Sequence, residues 1–341
     1  MTVRDRSDAG VTIGVDIGGT KVFGVVLDQG GSVIGESRVS TPQNADQTGL
    51  DAPPERGTDV ADAVATVVAS LRERPGEKPN GRPVTVGVGA PGMVDREGTL
   101  RFAPNLPGAA GANLRELVSR RVPNSVVVVE NDANCAALAE QRFGALRGVR
   151  YGLMVTLGTG IGGGLVVDGE VRLGSSGFAG EIGHMVVDPA GPLCPCGQRG
   201  CWERYASGGG LGRLAREAAY AGRLPHVVAQ VGGDPENVHG EDITRAAVSG
   251  DVGALGVLDE LGWWLALGLA NLVAMVDPER CVIGGGLAEA GPLLFDPTRR
   301  AFVELVEGGS VRPPIEITGA ALGERAGAIG AALAAWAPDR P

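Results

Sequence analysis

The sequence predicts an α/β protein of about two domains, the second repeating the opening of the first. Three observations carry this. The chain is 341 residues long with 43% hydrophobic residues, enough for two cores of ordinary size. It opens as strand, glycine loop, strand, turn, strand, which is an antiparallel start unlike the strand–loop–helix of a dinucleotide or Walker unit. The same pattern then returns. A shift of 140 residues lays Gly24-Val-Val-Leu-Asp28 on Gly164-Leu-Val-Val-Asp168 and Gly18 on Gly158.

In order, Val11–Val15 reads as a strand broken by Asp16-Ile-Gly-Gly-Thr-Lys21, followed by strands at Val22–Leu27 and Ser32–Ser40 about a turn at Asp28–Gly31. Thr41–Arg56, polar with three prolines, reads as a loop. Val60, Val64, Val67, Val68 and Leu71 recur at helical spacing over Asp59–Arg74, with Asp59 as cap. Pro75–Pro83 is a turn and Val84–Gly89 a strand. Leu114–Val122 is a helix capped by Asn113, and Ser125–Val129 is an apolar strand expected to be buried on both faces. Glu130-Asn131-Asp132 ends that strand and starts a helix running to Phe143, the kind of strand end where α/β proteins collect ligands.

The second half brings a strand at Leu153–Leu157, a glycine loop at Gly158–Gly164 and a strand at Leu165–Val167. After a cysteine-rich loop come helical segments, one of them Ile243–Ser249 capped by Asp242. An apolar helix through Trp263 and Trp264 ends at Asp277-Pro278. Cys281–Ile283 is a strand leading to a third glycine loop, Gly284–Gly286. Helices near Thr298–Val306 and Glu324–Trp336 flank a strand at Ile315–Thr318.

A net charge of −10 and a pI near 4.9 argue against a nucleic-acid surface, and no Lys/Arg run makes one locally. The N-terminus lacks the apolar core of a secretory signal. Leu261–Val276 falls short of the ~20 apolar residues of a membrane span, so it reads as a buried helix. The expected setting is cytoplasmic, where clustered cysteines point to metal rather than disulfides. Glycine makes up 57 of 341 residues, far above the ~7% of average usage, and only the loop glycines have a purpose visible in the sequence.

Three of the five cysteines, Cys194, Cys196 and Cys201, fall within eight residues, with His184 ten positions upstream. Four N/S ligands from a Gly- and Pro-rich loop suit a closed tetrahedral Zn²⁺ site. The alternative is a cluster of reduced thiols. Glu181 and Glu203 bracket the group. Cys135 and Cys281 read as core residues, and His226 and His239 as solvated ones.

Glycine loops let backbone N–H groups approach phosphate, and three of them after apolar strands suggest a nucleotide site; tight sheet geometry alone is the alternative. Asp16 can orient Mg²⁺ through water or hydrogen-bond its own turn, and Lys21 can meet phosphate or stay solvated. Asp132 can accept the proton of a hydroxyl attacking a γ-phosphoryl group or serve as a helix N-cap. Asn131 beside it can hydrogen-bond a polyol.

The motifs DIGGTK (16–21), APG (90–92), PNLPG (104–108), END (130–132), LGTGIGGG (157–164), GEIGHM (180–185), CPCGQRGCWE (194–203) and IGGGLA (283–288) occur in this order. Together, over about residues 11 to 335, they resemble the ROK family of repressors, open reading frames and sugar kinases, most closely its zinc-containing bacterial glucokinases. The resemblance implies an actin-like, hexokinase-type (ribonuclease H-like) duplicated fold, with two lobes around an ATP–sugar cleft. The small lobe would be residues 1–129, joined by the C-terminal helix at about 323–341. The large lobe would be 130–322, with the zinc loop at 184–201.

It further implies transfer of the ATP γ-phosphate to the 6-hydroxyl of D-glucose, with Asp132 as base. Asn105, Asn131, Asp132, Glu181, His184 and Glu203 would form the sugar set. Gly18, Gly19, Thr20 and Lys21, with Gly158, Thr159 and Gly160 (the loop running to Gly162), would face the phosphates. Gly284, Gly285 and Gly286 would lie near the adenosine. Zinc would be held by His184, Cys194, Cys196 and Cys201, and the chain would form a homodimer or homotetramer. One departure is Ala109-Ala110-Gly111, where relatives often carry an aromatic.

The alternatives are a kinase for another hexose such as fructose or for an amino sugar such as N-acetylmannosamine, a non-catalytic sugar sensor, or a zinc-centred interaction module. Polyphosphate is the less expected donor. An N-terminal DNA-binding domain has no room before the first strand.

Overall fold

The computed structural model describes residues 12–42, 56–72 and 83–336. Val11, most of the Thr41–Arg56 loop, the Pro75–Pro83 turn before Pro83 and the last turn of the Asp59–Arg74 helix lie outside them. The chain divides into two compact units. One holds residues up to Gly144, then Val171–Gly180 and everything from Glu324; the other holds Ala145–Glu170 and Glu181–Gly323. The division falls after the helix that Asp132 begins, not at residue 129, because that helix packs in the first unit against the C-terminal one.

The first unit starts with strands β1 (Thr12–Ile17), β2 (Lys21–Leu27) and β3 (Val33–Ser40). Helix α1 (Thr58–Arg72) buries the predicted stripe Val60, Val64, Val67, Val68 and Leu71. Asp59 lies within its first turn rather than capping it. Strand β4 (Val84–Ala90), the small β5–β6 ribbon (Met93–Val94, Leu100–Phe102) and α2 (Leu114–Arg121) follow, the last capped by Asn113 accepting from the Glu116 N–H at 3.0 Å. Strand β7 (Ser125–Asn131) leads into α3 (Asp132–Phe143). The sheet order is β3-β2-β1-β4-β7. Because β7 is the edge strand, only alternate residues are buried and Val126 is 51% exposed, so the expectation of burial on both faces fails.

The second unit repeats this plan. Strands β8 (Gly152–Leu157) and β9 (Ile161–Val167) form an antiparallel hairpin, and short β10 (Glu170–Arg172) lies beyond β9. Helices α4 (Glu203–Ala206), α5 (Gly208–Tyr220), α6 (Pro225–Gln230), α7 (Gly240–Val248) and α8 (Val252–Val276) precede β11 (Arg280–Gly284), α9 (Pro292–Leu305) and β12 (Glu316–Gly319). The order β10-β9-β8-β11-β12 matches the first sheet strand for strand. In each sheet the central hairpin is antiparallel and the two pairings after it are parallel. The glycine loop is shorter than expected: Gly162, Gly163 and Gly164 belong to β9, paired with Thr156, Val155 and Met154.

Helix α7 starts at Gly240, not Ile243. Asp242 sits in its first turn and accepts the His239 N–H at 2.9 Å, so His239 is a helix-start residue rather than a merely solvated one. Helix α9 begins six residues before Thr298 because Pro292 suits a first turn. Helix α8 has the length and apolarity of a membrane span, more than the Leu261–Val276 run suggests. It is nonetheless a core helix, with Val257, Leu258, Leu261, Leu265, Leu269 and Val273 buried.

Helix α10 (Ala326–Trp336) returns to the first unit and accounts for several of its glycines. Gly14 and Gly87 pair across β1 and β4, and α10 lies directly on them. A Cβ at Gly14 would sit 1.9 Å from the Ala328 oxygen, and one at Gly87 1.8 Å from the Ala331 oxygen. On its other side a Cβ at Gly330 would meet the Cys135 oxygen of α3 at 1.7 Å. These contacts are backbone against backbone, so no side-chain rotation relieves an added methyl. We predict that Gly87→Ala destabilises the first unit by about 3 kcal/mol or more, at the top of the usual overpacking range, as read from its denaturation midpoint. Gly256→Ala on the open side of α8 should be neutral or stabilising by up to ~1 kcal/mol. Equal midpoints for wild type and Gly87→Ala would show that α10 does not seat on this backbone.

Candidate active site

In the first unit the ends of three adjacent strands bring the acids together. Asp16 ends β1 opposite Gly89 of β4, and Gly89 lies opposite Glu130 of β7. A Cβ at Gly89 would be 3.3 Å from Asp16 Oδ1 and 3.6 Å from the Asp132 Cα, so the glycine lets both acids close over one point. Gly327 of α10 closes the other side, where a Cβ would lie 2.6 Å from the Asp16 carboxyl carbon. Loss of hydration pushes the Asp16 carboxyl up to about 7, with the Asp132 charge adding and Lys21 opposing. Burial likewise lifts Asp132 to about 6, against backbone N–H groups that favour its charge.

The N-cap alternative for Asp132 does not hold. Asn131 caps α3, its side-chain oxygen accepting the Asn134 N–H at 2.9 Å. Its amide nitrogen donates to the Gly92 oxygen at 3.0 Å, which commits one of its two hydrogens. The Asp132 carboxylate instead meets its immediate neighbour, Oδ1 accepting the Ala133 N–H at 2.8 Å. Lys21 is partly exposed and forms an ion pair with Glu324 at the start of the C-terminal segment. Asn105 stands on an exposed turn after β6.

In both glycine loops the first N–H closes the turn. Gly18 donates to the Lys21 oxygen at 2.8 Å and Gly158 to the Gly160 oxygen at 3.0 Å. Exposed Gly19 and Thr20 form the tip of one loop, and exposed Thr159 the tip of the other. In the second unit β11 pairs parallel with β8, so Gly284–Gly286 emerges beside Gly158–Gly160. A Cβ at Gly285 would fall 2.4 Å from the Leu157 oxygen.

The cysteine loop is a knuckle held by isolated bridges between Val186 and Cys201 and between Leu193 and Arg199. Its base is Trp202, fully buried, whose Nε1 donates to the Trp264 oxygen of α8 at 2.8 Å. The ligand atoms of His184, Cys194, Cys196 and Cys201 all lie within 4.8 Å of one another. Bonds of about 2.3 Å to sulfur and 2.0 Å to nitrogen give tetrahedral edges of about 3.8 Å between sulfurs and 3.5 Å from sulfur to nitrogen. The structure has 3.5 Å for Cys196–Cys201 and 3.7 Å for Cys194 to His184 Nδ1, so the four residues fit Zn²⁺. Burial pushes Cys194 far up, with Glu203 adding to it, and Cys201 up to about 11, so the thiolates need a cation to form. Cys135 and Cys281 are buried elsewhere, as core residues.

His184 has a different acid near each ring nitrogen. Nδ1 faces the cysteines and is 3.9 Å from Glu203 Oε1, while Nε2 is 3.9 Å from Glu181 Oε2. Cys194 Sγ donates to Glu203 Oε1 at 3.1 Å. Residues that the motifs do not single out also shape this region. Ser207, Gly208 and Gly209 back the second glycine loop, and their signal is a Ser followed by three glycines, an N-cap pattern.

The family model described as the ROK family matches residues 12–339. A glucokinase of Streptomyces coelicolor is 40% identical over 333 residues, covering 97% of this chain and 99% of that protein. A glucokinase of Thermotoga maritima is 36% identical, covering 94% and 95%. The crystal structure of a ROK family glucokinase from Streptomyces griseus, in complex with glucose and AMPPNP, superposes with a TM-score of 0.80 at 39% identity. It covers 95% of this chain and 98% of that one.

We predict that the purified protein carries stoichiometric zinc by elemental analysis. Cys196→Ser should lose the metal and melt earlier, while Cys281→Ser keeps it. A metal-free wild type with an unchanged melting temperature after chelation would refute the assignment.

Proposed function

This chain belongs to the ROK family, and from that premise we propose that it is an ATP-dependent glucokinase of the actin-like, hexokinase-type fold. It transfers the ATP γ-phosphoryl group to the 6-hydroxyl of D-glucose. The observation that carries the reading is the division of labour at the head of α3: Asn131 does the capping, which leaves the Asp132 carboxylate for chemistry. Identity of 40% with a glucokinase along nearly the full length of both chains supports the same activity.

Asp132 takes the proton of the sugar hydroxyl as the bond to phosphorus forms. Asn105, the second amide hydrogen of Asn131, Glu181, His184 and Glu203 bind the sugar hydroxyls. Gly18–Lys21 and Gly158–Gly160 face the phosphates, and Gly284–Gly286 the adenosine. Asp16 would help hold Mg²⁺, which when bound would offset phosphate charge. Zinc is structural, since four protein ligands leave no open position for substrate. With Nδ1 of His184 on the metal side, the proton stays on Nε2, which then donates to a sugar oxygen. Three zinc-binding thiols and an ATP substrate suit the cytoplasm. The oligomer we assign is a homodimer or homotetramer, and a monomer mass by light scattering would remove that part.

The test is ADP release over a panel of glucose, mannose, fructose, N-acetylglucosamine and N-acetylmannosamine, with ATP or polyphosphate as donor. Glucose with ATP should give the highest kcat/KM; a preference for another sugar would overturn the substrate. Asp132→Asn should keep glucose affinity and lose about 10²–10⁴-fold in kcat. Because the base works deprotonated and its carboxyl is raised to about 6, kcat/KM should fall tenfold per unit below about pH 6. An acid limb near 4 would place the base elsewhere.

A further inference from the structure

Outside the residues already given roles, the most heavily built feature is the junction of α4 and α5. Glu203 is the first residue of α4 and Gly208 the first of α5, with Ser207 between the helices. Ser207 is 1% exposed and uses its hydroxyl twice. Its Oγ donates to the Glu203 backbone oxygen at 2.6 Å and accepts the Gly210 N–H at 3.0 Å. The helix start it fixes is tied to the second glycine loop. Gly208 N–H donates to the Gly158 oxygen at 2.8 Å, and Gly209 N–H to the Thr159 oxygen at 3.3 Å. A third contact runs through Glu203 itself, since a Cβ at Gly160 would lie 2.6 Å from its Oε2.

Peptide planarity gives these bonds a direction. In a trans peptide the N–H points opposite to the C=O of the same plane. Holding the Gly158 oxygen therefore aims the Thr159 N–H, and holding the Thr159 oxygen aims the Gly160 N–H, both away from α5. The carboxylate assigned to sugar and the N–H groups assigned to phosphate thus share one short, buried support.

We infer that Ser207 is a positioning residue that couples the sugar site to the phosphate loop, so that glucose binding at Glu203 pre-orients the Thr159 and Gly160 N–H groups for nucleotide. This rests on the glucokinase reading above. The coupling is reciprocal: glucose tightens nucleotide by the factor by which nucleotide tightens glucose.

The experiment measures AMPPNP affinity by calorimetry with and without saturating glucose. Wild type should bind AMPPNP at least fivefold tighter with glucose. Ser207→Ala should bring that factor close to one while glucose affinity without nucleotide stays within about twofold, and Ser207→Thr, which keeps the hydroxyl, should restore it. Hydrogen exchange on the wild type is independent of how the variants fold. Glucose alone should slow exchange across 158–160 and 207–210. An unchanged factor in Ser207→Ala, or no glucose-induced protection, overturns the coupling while leaving the kinase reading intact. A wild type that binds AMPPNP but no glucose overturns both.

Discussion

The contact on which the first unit depends is a helix lying on bare backbone. With Gly14 and Gly87 side by side on neighbouring strands and Gly330 against α3, helix α10 is wedged between sheet and helix with almost no side-chain layer. That closeness sets the positions of the two acids. Asp16 leaves the strand under α10, Asp132 begins the helix packed on its other side, and Gly327 presses on the Asp16 carboxylate. A conventional layer of Leu and Val would thicken this packing and separate the groups. The unusual glycine content is thus in part the composition of a thin core.

The acids held this way have opposing demands. Both carboxyls are raised above the ordinary Asp value of 3.8, so the folded chain keeps protons that the unfolded chain has lost. Their contribution to stability is therefore fullest below about pH 4 and is lost as pH rises through about 6 and 7. The proton abstraction we propose for Asp132 requires the other state, with Asp132 ionised beside Asp16. The first unit accepts that repulsion at neutral pH, and the cation we propose near Asp16 would relieve it.

Much of this was legible in the chain because it rests on local chemistry. The 140-residue repeat announced two sheets of one topology, and they match strand for strand. The spacing of His184, Cys194, Cys196 and Cys201 sufficed to expect a metal, and the ligand atoms converge. What sequence could not show depends on neighbours. Val126 to Val129 is apolar enough for a central strand, but β7 has a partner on one side only. Asp132 and Asn131 are equally good caps on paper, and only the chain's path decides between them. Asp59 and Asp242 likewise sit a residue or more inside helices that begin earlier than their apolar pattern does. The partner of Lys21 is 303 residues away, and no window of sequence contains both.

Helix α10 also has a consequence for how the protein is made. The second unit has all of its segments once Gly323 has been synthesised, whereas the first, although its first strands precede the second unit, lacks the helix that completes its core until α10 has emerged. Domains fold as units during synthesis. The nascent chain therefore carries an unfinished first unit past a finished second one. Asp16 and Asp132 acquire their final surroundings only when α10 has emerged. The order of maturation is the reverse of the order of translation.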